Sequence, residues 1–243
     1  MQKRSTQSTP STRLDIWGLT LALCFPSILT WIYFVALADA ETTIQQVVYT
    51  TGKVAQFAFP LFFLAFVVRE PLRLPFHRRH GLVEGILSGL VILASIVSLW
   101  RLLVWIDSPL LADLVPNISA KVVGLGVATP WRYAALGFSY SLFHTFLEEY
   151  YWRWFVFGRL RRHAGFGLSI TLSSVGFMAH HVIVMGAYAG WTSPYTYLFS
   201  VAVAVGGGYW AWLYERSETL VAPWVSHLFV DVAVFSVGFA LLS

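Results

Sequence analysis

The chain has 243 residues, of which 57% are hydrophobic, 17% aromatic and 12% charged, against roughly 45–50% apolar and about 25% charged in soluble domains. A mean hydropathy of +0.67 excludes a soluble globular protein, and the aromatic content excludes a disordered one, because that much aromatic surface does not stay in water. The net charge of +4 calls for no nucleic-acid partner, since the basic residues fall between apolar runs, where orientation in a lipid bilayer requires them. The one cysteine, Cys24, has no second thiol for a disulfide or a cysteine-type zinc site and reads as packing.

A helix crossing about 30 Å of hydrocarbon needs roughly 20 mostly apolar residues. Seven stretches qualify, near 15–38, 46–68, 81–106, 131–158, 166–188, 195–214 and 220–242. The expected fold is therefore an all-α polytopic bundle. It divides into an N-terminal tail (1–14), a set of N-terminal membrane helices (15–125) and a core (126–243). The first stretch is long, aromatic and interrupted by Pro26, with no small-residue cleavage site after it, so it reads as a retained span rather than a signal peptide. Lys3, Arg4 and Arg13 precede span one; Arg69, Arg73, Arg78 and Arg79 follow span two; Arg159, Arg161 and Arg162 follow span four; Arg216 follows span six. The alternate loops hold only Lys121 and Arg132. The positive-inside rule then places the N-terminus in the cytoplasm and Ser243 outside. Lys53 and Arg101, toward predicted span ends, are expected to snorkel to the headgroups.

Charge in the middle of a spanning helix costs about 2.5–3.5 kcal/mol per residue even on the lenient insertion scale. Span four nevertheless carries Glu148, Glu149 and Arg153. Glu149 and Arg153, four apart, share a helix face and can pair, whereas Glu148 is turned by about 100° toward whatever occupies the interior. His144 stands one turn earlier and can extend the network. Span five brings the adjacent pair His180 and His181, of which helical spacing turns only one toward a common cavity. Span seven brings His227 and Asp231, one turn apart, so that the carboxylate can orient the imidazole. Counted from the expected cytoplasmic ends, Glu148, His181 and His227 lie about 16, 22 and 10 Å deep and can meet around one cavity. An ion network that only ties helices together is the bland alternative.

In order along the chain, Glu148-Glu149-x-x-x-Arg153, Phe177-x-x-x-His181 and His227-x-x-x-Asp231 resemble the three motifs of the CPBP family of intramembrane proteases. That family includes the type II CAAX prenyl endopeptidases and bacteriocin-processing or immunity proteins. The resemblance spans roughly residues 130 to 236, including Gly206-Gly207-Gly208 and the run from Tyr214 to Leu220. The Phe177 spacing selects His181 of the pair. Trp154 replaces the usual small residue, and Asp231 replaces the asparagine of the CAAX-processing members.

The resemblance implies an endopeptidase acting on a membrane-anchored peptide or protein, with prenylated CAAX tails the best-known substrate class, in a prokaryotic plasma membrane. It gives Glu148 the role of general base, positioning water with His181. Glu149 and Arg153 order the helix, Phe177 orients, and His227 and residue 231 line the oxyanion site. An ionised aspartate repels an oxyanion, so Asp231 must be protonated, orient His227 or bind metal; orientation needs no unusual proton affinity. Glu148, His181, His227 and Asp231 are also an acceptable zinc ligand set, although the helical His-Glu-x-x-His signature is absent. Metal-free and zinc-assisted hydrolysis both remain open at this point. The rival functions are a non-catalytic binding or immunity protein of the same fold and a proton-coupled transporter, for which no inverted repeat is visible.

Overall fold

The computed structural model describes residues 12–76 and 80–242; Lys3, Arg4, Arg78, Arg79 and Ser243, used above for orientation, lie outside them. Among the described residues there are eight helices and no strand. They are α1 (12–36), α2 (Thr42–Val67), α3 (Leu82–Trp105), α4 (Pro109–Gly124), α5 (130–163), α6 (Phe166–Ala189), α7 (Pro194–Ser217) and α8 (Val221–Leu242). Five of them, α1, α2, α3, α6 and α8, are long and apolar enough to cross a membrane by length and composition. The chain is an all-α membrane bundle. Helices α5 and α7, expected to span as well, fall outside that group: α5 carries the charged residues and α7 is diluted by glycine, tyrosine and serine.

Helix α4 was not expected; its 16 residues occupy what reads as a loop after span three. Three helices begin in the same way, with Ser108, Thr129 or Ser193 in extended conformation and proline at the first helical position. Proline there is preset for helical φ and lacks only an N–H that would have no intrahelical partner. At about 24 Å, α4 lies against the end of α6, where the Asn117 amide donates to the Tyr188 carbonyl at 2.9 Å.

Helix α6 runs along α7, α8 along α3, and α1 against α6. The α3–α8 contact is close because Gly85 faces the Ala222 backbone: a Cβ at Gly85 would collide with that carbonyl. Small residues of this kind let membrane helices approach, since lipid supplies no hydrophobic force between them. The outward face of α3, with Val83, Leu87, Leu90 and Val91, is exposed, as a lipid-facing surface must be. Between α7 and α8, Glu218 adopts a left-handed φ of 52°. The turn is pinned there by Leu220 N–H and the Thr219 hydroxyl, which both donate to the Pro75 carbonyl, at 3.0 and 2.9 Å.

Arg159 does not serve orientation alone. It is buried at the end of α5 between Asp15 of α1, to which it is bonded, and Glu70, at 2.6 Å. Glu70 also takes Arg162 at 2.7 Å, and His163 lies 2.8 Å from the second Asp15 oxygen. This cluster ties the start of α1 and the segment after α2 to the end of α5.

Candidate active site

Helix α5 is not a uniform α-helix. Ordinary α-helical turns at Pro130–Ser139, Thr145–Glu149 and Gly158–His163 alternate with wider π-helical turns at Tyr140–His144 and Tyr150–Phe157. Such i→i+5 turns are uncommon and concentrate at functional sites. The two glutamates end the central α-helical turn and are buried, Glu148 at 4% and Glu149 at 0% exposure, with Arg153 at 2%.

Glu149 and Arg153 pair as the spacing predicts, Oε2 to Nε at 3.1 Å. The other Glu149 oxygen accepts from His227 Nδ1 at 2.7 Å. Glu149 thus joins α5 to α8 and fixes which imidazole edge points inward: Nε2 of His227 faces Glu148, at 3.8 Å. The Arg153 guanidinium lies over the rings of Phe177 and Trp210, 4.8 and 5.2 Å from their centroids, and donates to the Gly207 carbonyl at 3.3 Å. Only Gly207 of the three consecutive glycines faces this arginine; a Cβ there would sit 3.2 Å from Phe177 and 3.5 Å from Arg153. Trp210 in turn stacks on His227, with centroids 4.0 Å apart and planes 18° apart.

Glu148 meets three imidazoles. His144 Nε2 lies 3.9 Å away, His180 Nε2 3.8 Å and His227 Nε2 3.8 Å. Atoms at this spacing do not bond directly, but one water can reach two of them at ordinary hydrogen-bond length. The structure therefore brings His180 closer to Glu148 than the motif spacing suggested. His180 stacks flat on Trp152, with planes 6° apart. His181, the histidine favoured by spacing, donates from Nδ1 to the Phe177 carbonyl at 2.9 Å and contacts the Phe177 and His180 rings. Its Nε2 is left as the acceptor edge. The two residues share one wall of the site rather than pointing apart.

Two expectations need correction. Asp231 is half-buried, one turn beyond His227, and makes no hydrogen bond or ion pair with it among the described residues. The carboxylate that orients His227 is Glu149, which reaches Nδ1 across the α5–α8 contact and leaves no second N–H on that edge for Asp231. Lys53, expected at a span end, lies about 16 Å along α2 from Thr42. Its ammonium sits 5.5 Å from the ring centroids of Tyr49 and Phe57, on the side where Phe57 meets His144 edge-on. Trp154, the departure from the small residue, fits by stacking on Tyr150 and donating to the Arg73 carbonyl at 2.9 Å.

Among the described residues no three His, Cys, Asp or Glu side chains are arranged to hold an ion. Of the zinc candidates, His227 and His181 each have Nδ1 taken, by Glu149 and by the Phe177 carbonyl, so Nε2 is the edge each would offer to a ligand.

Sequence reasoning missed the contributions of Lys53, Trp152, Trp210 and Tyr140, the last with its ring tilted against His144 at 4.8 Å. The doubled histidine was the one signal for His180; an aromatic residue in an aromatic-rich chain gives none. No curated protein and no solved structure matches the chain. Residues 130–233, the stretch that begins at α5 and ends just past Asp231, match the family described as type II CAAX prenyl endopeptidase Rce1-like. Over the helices that build the Glu148 site, this chain is therefore similar to the Rce1-like type II CAAX prenyl endopeptidases.

Proposed function

We propose that the protein is an intramembrane endopeptidase that hydrolyses a peptide bond in a membrane-anchored protein or peptide, with Glu148 as the general base. The observation that carries this reading is the buried Glu148 carboxylate with imidazole nitrogens 3.8–3.9 Å away on α5, α6 and α8. A water held between Glu148 and His180 or His227 gives its proton to Glu148, and its oxygen attacks the carbonyl carbon. The oxyanion that forms is met by His227, which donates from Nε2 when that nitrogen is protonated, and Glu148 returns the proton to the leaving amine. Glu149 acts as a positioning residue by holding Nδ1 of His227, with Arg153 holding Glu149. Phe177 and Trp210 form the walls that keep the guanidinium and imidazole in place, and Asp231 lines the site one turn further along α8. His181 stands behind His180 and orients the α6 wall.

On this reading the substrate is membrane-anchored, and prenylated C-terminal peptides are the first class to test. The chain crosses the bilayer seven times, with α5 and α7 spanning and α4 outside the count, the N-terminus in the cytoplasm and the membrane that of a prokaryotic cell. The test is cleavage by purified protein in liposomes, across prenylated and transmembrane-anchored peptides, with Glu148→Gln and His227→Ala alongside. Glutamine cannot take up the water proton, so turnover should fall by about 10²–10⁴-fold. Full activity in both variants would overturn the assignment.

A further inference from the structure

Among the described residues beside the site, Lys53 is a charged side chain that the chemistry above does not use. It stands near the middle of α2, half-buried, facing the bundle interior rather than the headgroups. Among the described residues no carboxylate pairs with its ammonium, and the acid whose charge acts on it is Glu148. Its positive charge is also felt by His144 and His180. Two aromatic faces, Tyr49 and Phe57, flank the ammonium at 5.5 Å. They supply cation–π contact but no hydrogen-bond acceptor for its three N–H groups. A lysine held this way on a spanning helix faces a cavity or a partner, and Glu148, bracketed by three histidines, is not within ion-pair reach.

We propose that Lys53 is an anion subsite that binds a carboxylate of the substrate peptide; calling that ligand a substrate rests on the peptidase reading of Glu148. The path from Lys53 to Glu148 runs over Phe57, whose ring is 6.1 Å from that of His144, and then over the 3.9 Å from His144 to Glu148. With 3.3–3.6 Å per extended residue, a segment of no more than about five residues joins a carboxylate on Lys53 to a scissile bond at Glu148. The subsite therefore selects for a negative charge a few residues from the cut. A free C-terminus and an acidic side chain are the two sources of that charge.

The experiment measures binding first and cleavage second, using Glu148→Gln protein in liposomes and one farnesylated six-residue peptide made in three forms. One form has a free C-terminal carboxylate, one a C-terminal amide, and one the amide with a single Glu near its end. The free acid should bind at least tenfold more tightly than the plain amide. This ratio should fall to near one when Lys53→Met is added and should be retained with Lys53→Arg, which keeps the charge. A tight Glu-containing amide would identify a side-chain carboxylate as a ligand; a weak one, with the acid still preferred, would assign the subsite to the C-terminus. Equal binding of acid and amide by Glu148→Gln protein would overturn the proposal, as would an acid-to-amide ratio unmoved by Lys53→Met, since a lysine acting only through residue 148 leaves that ratio alone. Failure of the wild-type protein to cleave any of the three while the lysine-dependent preference persists would sink the peptidase reading and leave the carboxylate subsite standing.

Discussion

Replacing Arg153 with methionine tests the connection between buried charge and site geometry. The pair it breaks is almost fully enclosed, with side-chain exposures of 2% for Arg153 and 0% for Glu149, and its atoms are 3.1 Å apart. At an effective dielectric near 20 the attraction at that distance is roughly 5 kcal/mol, and removing one partner of a buried pair typically costs about 3–5 kcal/mol, because the other charge is left stranded. Methionine keeps the stem that packs on Phe177 and Trp210, so packing loss is small beside that cost. For a chain of this size, and on the scale of globular domains, the unfolding midpoint should drop by roughly 6–20 °C. Tryptophan emission of the detergent-solubilised protein is a suitable readout, since Trp152 and Trp210 lie in the site's walls. The decisive control is the double variant Arg153→Met with Glu149→Met, in which no charge remains stranded: it should recover much of the lost stability while cleavage stays low, because His227 has lost the acceptor on Nδ1. A loss below about 1 kcal/mol for Arg153→Met, or a double variant less stable than the single one, would refute the reasoning.

Three further outcomes are expected. Gly85→Val should push α3 from α8 by driving a side chain into the Ala222 backbone; overpacking of this kind costs about 1–3 kcal/mol, and an unchanged unfolding midpoint would contradict the close contact. Arg159→Met should destabilise the bundle by about 3–5 kcal/mol by stranding Asp15, while the KM of the remaining folded enzyme stays near that of wild type because the cluster lies apart from Glu148. Cleavage should survive dialysis against a chelator, since among the described residues no three His, Cys, Asp or Glu side chains are spaced to hold an ion; loss on chelation with recovery on added zinc would count against that geometry.

Much of the fold was legible because its cause is a length: some 20 apolar residues in a row have few uses other than crossing a bilayer. Helix α4 escaped that test by being short and by carrying Asn117 and Lys121, although Ser108-Pro109 was a readable start signal. Glu149 and Arg153 were legible because four residues make one helical turn, and the pair survives even where α5 widens into a π-helical turn.

Composition, span pattern and the order of Glu148, Glu149, Arg153, His181 and His227 by themselves determined an all-α membrane bundle with one polar locus. Contacts between helices decided the rest. Spacing along α8 assigned Asp231 to His227, but the imidazole turns its Nδ1 to Glu149 on another helix. Position along α2 sent Lys53 to the headgroups, but the helix runs long enough on both sides to hold it beside the site. A period along one chain tells which residues share a face; which carboxylate lies across from that face depends on how two helices pack, and only the tertiary structure holds that information.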